Sequence, residues 1–170
     1  MIFRLIPLLA FGLLLSLSNT VWAQFLADDA DWKESDTPAP PSFDISKLVQ
    51  FEVSSTSSLV YGVDPASIRI SQRDGLVRYV IVALSSSGAS NVMYEALRCS
   101  TAQVKTYARY SASGGWRSLD NPEWTSLYAN MPSRHALAFA KAGACDNTVV
   151  PDSVNVLIKR LKDPNFSIAQ

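Results

Sequence analysis

Few side chains in this sequence could do chemistry. His135 is the one histidine, so an ordinary zinc centre has no ligand set, and neither a metal nor a cofactor is expected. A Ser–His–acid relay can assemble across a fold. Yet no Gly-x-Ser-x-Gly elbow and no Ser-x-x-Lys pattern occurs, and no phosphate-binding glycine loop or dinucleotide fingerprint is present. Paired carboxylates for sugar hydrolysis would have to come from Asp120, Glu123 or the acidic N-terminal segment, and nothing in their spacing singles them out. No catalytic residue is assigned. One charged pair stands out. Arg78 interrupts an apolar strand-like run and Glu95 lies on the next one. A hairpin with Ser85 opposite Ser90 brings Arg78 diagonal to Glu95, whereas a slip by one residue sets Arg78 against Arg98, which like charges disfavour. The expectation is an Arg78–Glu95 ion pair that specifies register. Glu95 and His135 are the groups available if the chain is a hydrolase or isomerase.

Recognition has more material. Trp116 and Trp124 flank the polar segment 117–123, with Arg98, Tyr107 and Arg109 nearby in sequence. Trp, Tyr and Arg are the residue types that anchor interfaces, so these five form the candidate binding surface. The competing reading places both tryptophans in the core, and exposure of the rings decides between them. Fifteen basic residues balance fifteen acidic ones, which leaves no electrostatic reason to bind nucleic acid or anionic lipid.

The compartment follows from the N-terminus. Arg4 precedes an apolar run from Leu5 to Leu17, and Val21 and Ala23 stand at −3 and −1 of a cut before Gln24. This is the layout of a secretory signal cleaved after Ala23. The run is shorter than the roughly 20 apolar residues that cross a bilayer. No cysteine adjoins the cut, so no lipoprotein is expected, and no later stretch is long enough to span a membrane. In an oxidising compartment the two cysteines, Cys99 and Cys145, are expected to form one structural disulfide. Closing a loop of about 46 residues is worth roughly 4 kcal/mol in the chain-entropy picture.

These residues must be held by something. Residues 24–47 are acidic, then Pro-rich, and read as a flexible lead in which Trp32 stands alone and is expected to dock onto its own domain. Short β-like runs then cover 48–53, 58–63, 67–71, 76–84, 91–99 and 102–110, with a brief one at Trp116. Arg73-Asp74-Gly75 marks a hairpin turn. Residues 133–143 have a helical composition, with Ser133 as cap and Gly143 as stop. Residues 152–162 repeat Val154, Leu157, Ile158 and Leu161 at helical spacing, with Asp152 as cap. The expected fold is α+β, an antiparallel β-meander sheet with C-terminal helices packed on one face. The expected organisation is a signal over 1–23, the lead over 24–47, a single domain over 48–162 and a tail over 163–170.

Asp74 to Tyr79, Ser87 to Val92, Tyr94 to Cys99, Tyr107-Ala108, Trp116, Asn121 to Trp124 and Cys145 together resemble the cryptic neisserial protein family, exported proteobacterial domains with no assigned catalytic residues. The similarity spans roughly Phe51 to Cys145. The sequence departs from the family pattern at Ala96, where Gly is common, and at 142–144, where an aromatic is usual. The resemblance implies a Gram-negative envelope protein and supports pairing Cys99 with Cys145. The expected function is a periplasmic binding or interaction module for an envelope protein or ligand. An inhibitor or chaperone-like partner of another exported protein is a further alternative.

Overall fold

The computed structural model describes residues 31–166. The signal expected over 1–23, the first part of the lead (24–30) and the last four residues of the tail lie outside the described residues. Within them the chain is mostly β. Eight antiparallel strands form one sheet: β1 Val49–Phe51, β2 Leu59–Val63, β3 Arg69–Ser71, β4 Leu76–Ser85, β5 Ser90–Arg98, β6 Gln103–Ser111, β7 Gly115–Ser118 and β8 Thr125–Ser126. Two C-terminal helices follow, α1 His135–Phe139 and α2 Val154–Leu161. A path runs β1-β2-β4-β5-β6-β7. Two long strands share an edge between shorter ones. Strand β4 pairs with β3 through residues 76–78 and with β2 through residues 81–85, and β6 pairs with β8 at one end and β7 at the other.

Because side chains alternate along a strand, the central strands feed two apolar clusters. One joins Val77, Tyr79, Ile81, Met93 and Leu97 with Ala136, Leu137, Phe139, Leu157 and Leu161. The other gathers Val80, Val82, Val92, Tyr94, Ala96 and Tyr107, against which Phe43, Leu48, Trp116 and Trp124 pack.

The β4–β5 register is one residue away from the one expected. Gly88 takes φ +85°, and Ser85 N–H donates to the Ala89 carbonyl at 2.9 Å. That leaves a three-residue loop with Gly in the left-handed position, a favoured hairpin closure. Leu84 rather than Ser85 then faces Ser90, Arg78 faces Ala96, and Tyr79 faces Glu95. A one-residue slip moves a side chain to the other face. Arg78 and Glu95 therefore lie on opposite faces, and the ion pair expected between them is replaced by two separate sets of partners.

The helix caps also shift. The Ser153 hydroxyl, not Asp152, accepts from Val156 N–H at 3.3 Å. Helix α1 is short and passes into a π-helical turn over Ala140–Ala144, where Gly143 adopts φ +117°. A Cβ at Gly143 would stand 2.5 Å from the Cβ of Arg160. The chain leaves this turn at Cys145, which is bonded to Cys99 just beyond the end of β5.

Candidate functional site

Glu95 is 2% exposed on a strand that is otherwise apolar through its centre. Three side chains satisfy it. The Tyr79 hydroxyl, from the facing position on β4, donates to Oε2 at 3.1 Å, and the Thr106 hydroxyl, from β6, donates to Oε1 at 3.0 Å. His135 Nε2, at the start of α1, lies 3.0 Å from Oε2 and 3.2 Å from Oε1. The other imidazole nitrogen, Nδ1, is 3.0 Å from Ser133 Oγ, which is itself 3.0 Å from the Tyr61 hydroxyl. The Tyr61 and His135 rings stack with centroids 5.7 Å apart and planes 9° from parallel. A consistent donor assignment runs Tyr61 to Ser133, Ser133 to Nδ1, and Nε2–H to the carboxylate. Burial and the neighbouring Glu95 carboxylate push the Tyr79 hydroxyl well above its ordinary pKa, so it stays a donor.

A cavity of about 240 Å³ opens onto these groups. Its walls include Leu59, Met93, Val104 and Met131, and Asn91 and Arg109 line it as exposed residues. A β-bulge makes this possible. The pairing of β5 with β6 shifts between Tyr94↔Ala108 and Glu95↔Thr106, so Tyr107 is an extra residue on β6. Thr106 and Arg109 are three apart and would otherwise point to opposite faces. The bulge sets both on the side of Glu95, as bulges beside functional sites do.

The opposite face holds a second polar cluster, built on the segment read as a flexible lead. Residues 31–47 are laid against the sheet. Trp32 Nε1 donates to the Asp74 carbonyl at 2.8 Å, and its ring lies 3.7 Å from the Arg98 guanidinium carbon and 5.9 Å from Trp124. Glu34 pairs with Lys105 Nζ at 2.9 Å and accepts from the Tyr107 hydroxyl. Asp74 Oδ2 accepts from Arg78 Nη2 at 2.9 Å, from Ser35 N–H at 3.2 Å and from the Ser35 hydroxyl. Phe43 contacts Tyr110 and Trp116 edge to face. Of the segment's carboxylates, Glu34 meets the sheet's cations, Lys105 at 2.9 Å and Arg78 at 3.9 Å.

Burial alone would raise the Asp74 carboxyl, but hydrogen bonds from Ser35, Ser71 and Arg78 outweigh it and hold the group far below the usual carboxylate range. Glu34 is opposed by burial in the same way and is drawn down by Tyr107 and Lys105. Burial, then Glu34, raise the Tyr107 hydroxyl far above its ordinary value.

The five residues expected to form one binding surface are thus divided. Arg98 and Tyr107 are buried, and Trp116 and Trp124 are half-buried against the second apolar cluster. Arg109 lines the cavity on the other face. Arg78 meets Asp74, and Glu95 meets His135. Cys99 and Cys145 form the disulfide. Tyr61, Thr106 and Ser133 were not singled out as site residues, and neither were Glu34 and Asp74; Thr106 meets Glu95 from the adjacent strand, 11 residues on, whereas Tyr61 with Ser133 and Glu34 with Tyr107 are joined across 72 and 73 residues. Among the described residues no group of His, Cys, Asp and Glu could hold a metal ion, and no helix is long and apolar enough to cross a membrane.

Neither curated proteins nor solved structures give a match to the chain. A family model does match, from residue 27 to residue 162, and so takes in the docked segment as well as the sheet and both helices. By that match the chain belongs to the CNP1-like family.

Proposed function

We propose that this chain is an exported binding module of a Gram-negative cell envelope, released into the periplasm by cleavage after Ala23. Its recognition site is the cavity at His135 rather than the tryptophan surface. The observation that carries this reading is the cavity itself, with apolar walls of Leu59, Met93, Val104 and Met131, a satisfied polar floor of Glu95 and His135, and a lining that includes the exposed Arg109 and Asn91. Such a combination of apolar lining and few placed polar groups is how small-molecule sites are built. At about 240 Å³ it suits a fragment-sized molecule, with an apolar body for the walls and a carboxylate or carbonyl for Arg109. In this reading the C-terminal helices cover the sheet face that carries Glu95, which the contact of Phe139 with Tyr79, at 4.5 Å between ring centroids, supports.

The test is a titration of the isotope-labelled protein with a panel of short-chain carboxylates and the matching amines. Saturable shifts at Met93, Val104 and Thr106 with a carboxylate are expected. They should vanish in Arg109→Ala and in Leu59→Trp, which closes the cavity from an exposed position. A panel that moves none of these resonances at millimolar concentration would sink the proposal.

A hydrolase acting on an envelope substrate is a second reading, favoured by one observation. Ser133 Oγ, both imidazole nitrogens and Glu95 stand in one hydrogen-bonded line. In that case Ser133 is the nucleophile, His135 Nδ1 takes its proton, and Glu95 holds the ring. A fluorophosphonate probe should then label the wild type and spare Ser133→Ala and His135→Ala; an unlabelled wild type removes this reading.

A further inference from the structure

Strand β1 ends the sheet. Its inner edge is taken by β2, in the register Val49↔Val63 to Phe51↔Tyr61, and among the described residues no strand pairs with its outer edge. Such an edge offers a row of backbone donors and acceptors to any extended segment that can reach it. A groove of about 1170 Å³ runs alongside, between residues 46–54 on one wall and the helical residues of 134–142 and 160–162 on the other. Phe51, Leu137 and Leu161 give it an apolar floor.

The rim is basic in a chain whose formal net charge is zero. Arg134, Lys141 and Lys162 line it and form no ion pair among the described residues. Arg160 is committed elsewhere, donating to Asp146 at 2.7 Å. Glu52 and Asp163 are the acidic residues of the lining. An open edge, an apolar floor and an unbalanced positive rim together fit one kind of occupant. We propose that the groove receives an extended acidic segment of a partner protein, added as a strand to β1. Its alternate side chains fill the floor, and its carboxylates meet Arg134, Lys141 and Lys162. This surface is separate from the His135 cavity and does not depend on it.

Fluorescence anisotropy with the full chain tests the proposal. The probes are a labelled peptide alternating Glu with Val, a matching Lys–Val peptide, and the Glu–Val peptide with two central prolines. The Glu–Val peptide should bind saturably and weaken at least about fivefold in Lys141→Glu/Lys162→Glu and again in high salt. The Lys–Val and proline-bearing peptides should bind at least that much more weakly. Hydrogen exchange should slow at Val49–Phe51 when the Glu–Val peptide is added. No saturable binding overturns the proposal. So does equal binding of the Glu–Val and proline-bearing peptides or of dextran sulfate, because the groove would then be a charge-only polyanion site. Unchanged exchange at β1 overturns it as well, by placing the peptide elsewhere.

Discussion

Replacing Asp74 with alanine should release residues 31–47 from the sheet and leave the sheet itself folded. One carboxylate oxygen accepts from Arg78 and twice from Ser35, and the Asp74 carbonyl receives Trp32. Asp74 and Arg78 are 3% and 4% exposed. Removing one member of a buried pair strands the other charge, which typically costs about 3–5 kcal/mol. Glu34, 3.9 Å from Arg78, takes up part of that charge and places the expected loss near the lower figure, about 3 kcal/mol. For a chain of this size that loss lowers Tm by roughly 6–12 °C. It moves a urea midpoint down by about 1–3 M. Trp32 reports the local event, because its ring leaves Arg98 and Trp124, so its emission should shift to the red before global unfolding. Limited proteolysis should cut within 31–47 in the variant and not in the wild type. Asp74→Leu/Arg78→Met, which leaves no charge behind, should recover most of the loss. A variant within about 0.5 kcal/mol of wild type, the scale of ordinary surface substitutions, with the proteolysis pattern unchanged, would refute the claim that Asp74 fastens this segment.

Three further outcomes follow from the same geometry. Replacing Cys99 and Cys145 together with serine should cost up to about 4 kcal/mol, the closure entropy of their loop, read as a fall in the denaturant midpoint that reduction of the wild type reproduces. Gly143→Ala should lose about 1–3 kcal/mol, since φ +117° and a 2.5 Å approach to Arg160 leave a methyl no room; a variant as stable as wild type would show that the turn can relax. The folded-state values of Asp74 and Glu34 lie below their unfolded ones, so their contribution is complete above about pH 5 and fades as pH falls through the folded values. Tyr79 and Tyr107 are shifted the other way, so stability should also decline above about pH 10. Equilibrium unfolding across pH checks both limbs, and Asp74→Asn should flatten the acid one.

Alternation and turn chemistry made the strands legible: seven of the eight can be read from the sequence to within a few residues, and the eighth, Thr125–Ser126, is too short to leave a pattern. The register was not legible, because a single residue in the loop at Gly88 decides which side of the sheet Arg78 and Glu95 occupy. Glu95 and His135 were each recognisable as chemistry-bearing, yet they stand 40 residues apart, and only the placement of α1 against β5 joins them. The bulge at Tyr107 left no composition signal, although it brings Thr106 and Arg109 to one face. Within the N-terminal segment the docking of Trp32 was legible, and the contacts of Glu34 were not. Acidic, Pro-rich composition predicts disorder when carboxylates face water, whereas here Glu34 meets Lys105 and Tyr107 inside the fold.

That segment also imposes an order in time. A chain is synthesised from its N-terminus, so residues 31–47 exist before any of the strands they rest on. Glu34 has to wait until Lys105 and Tyr107 have been made, paired with β5 and bulged, before it has anything to hold. What comes first along the chain settles last. Until it does, Trp116 and Trp124 lack the edge-to-face cover of Phe43 and Trp32. Between the pairing of β6 and the seating of Trp32, that apolar surface is open to other chains.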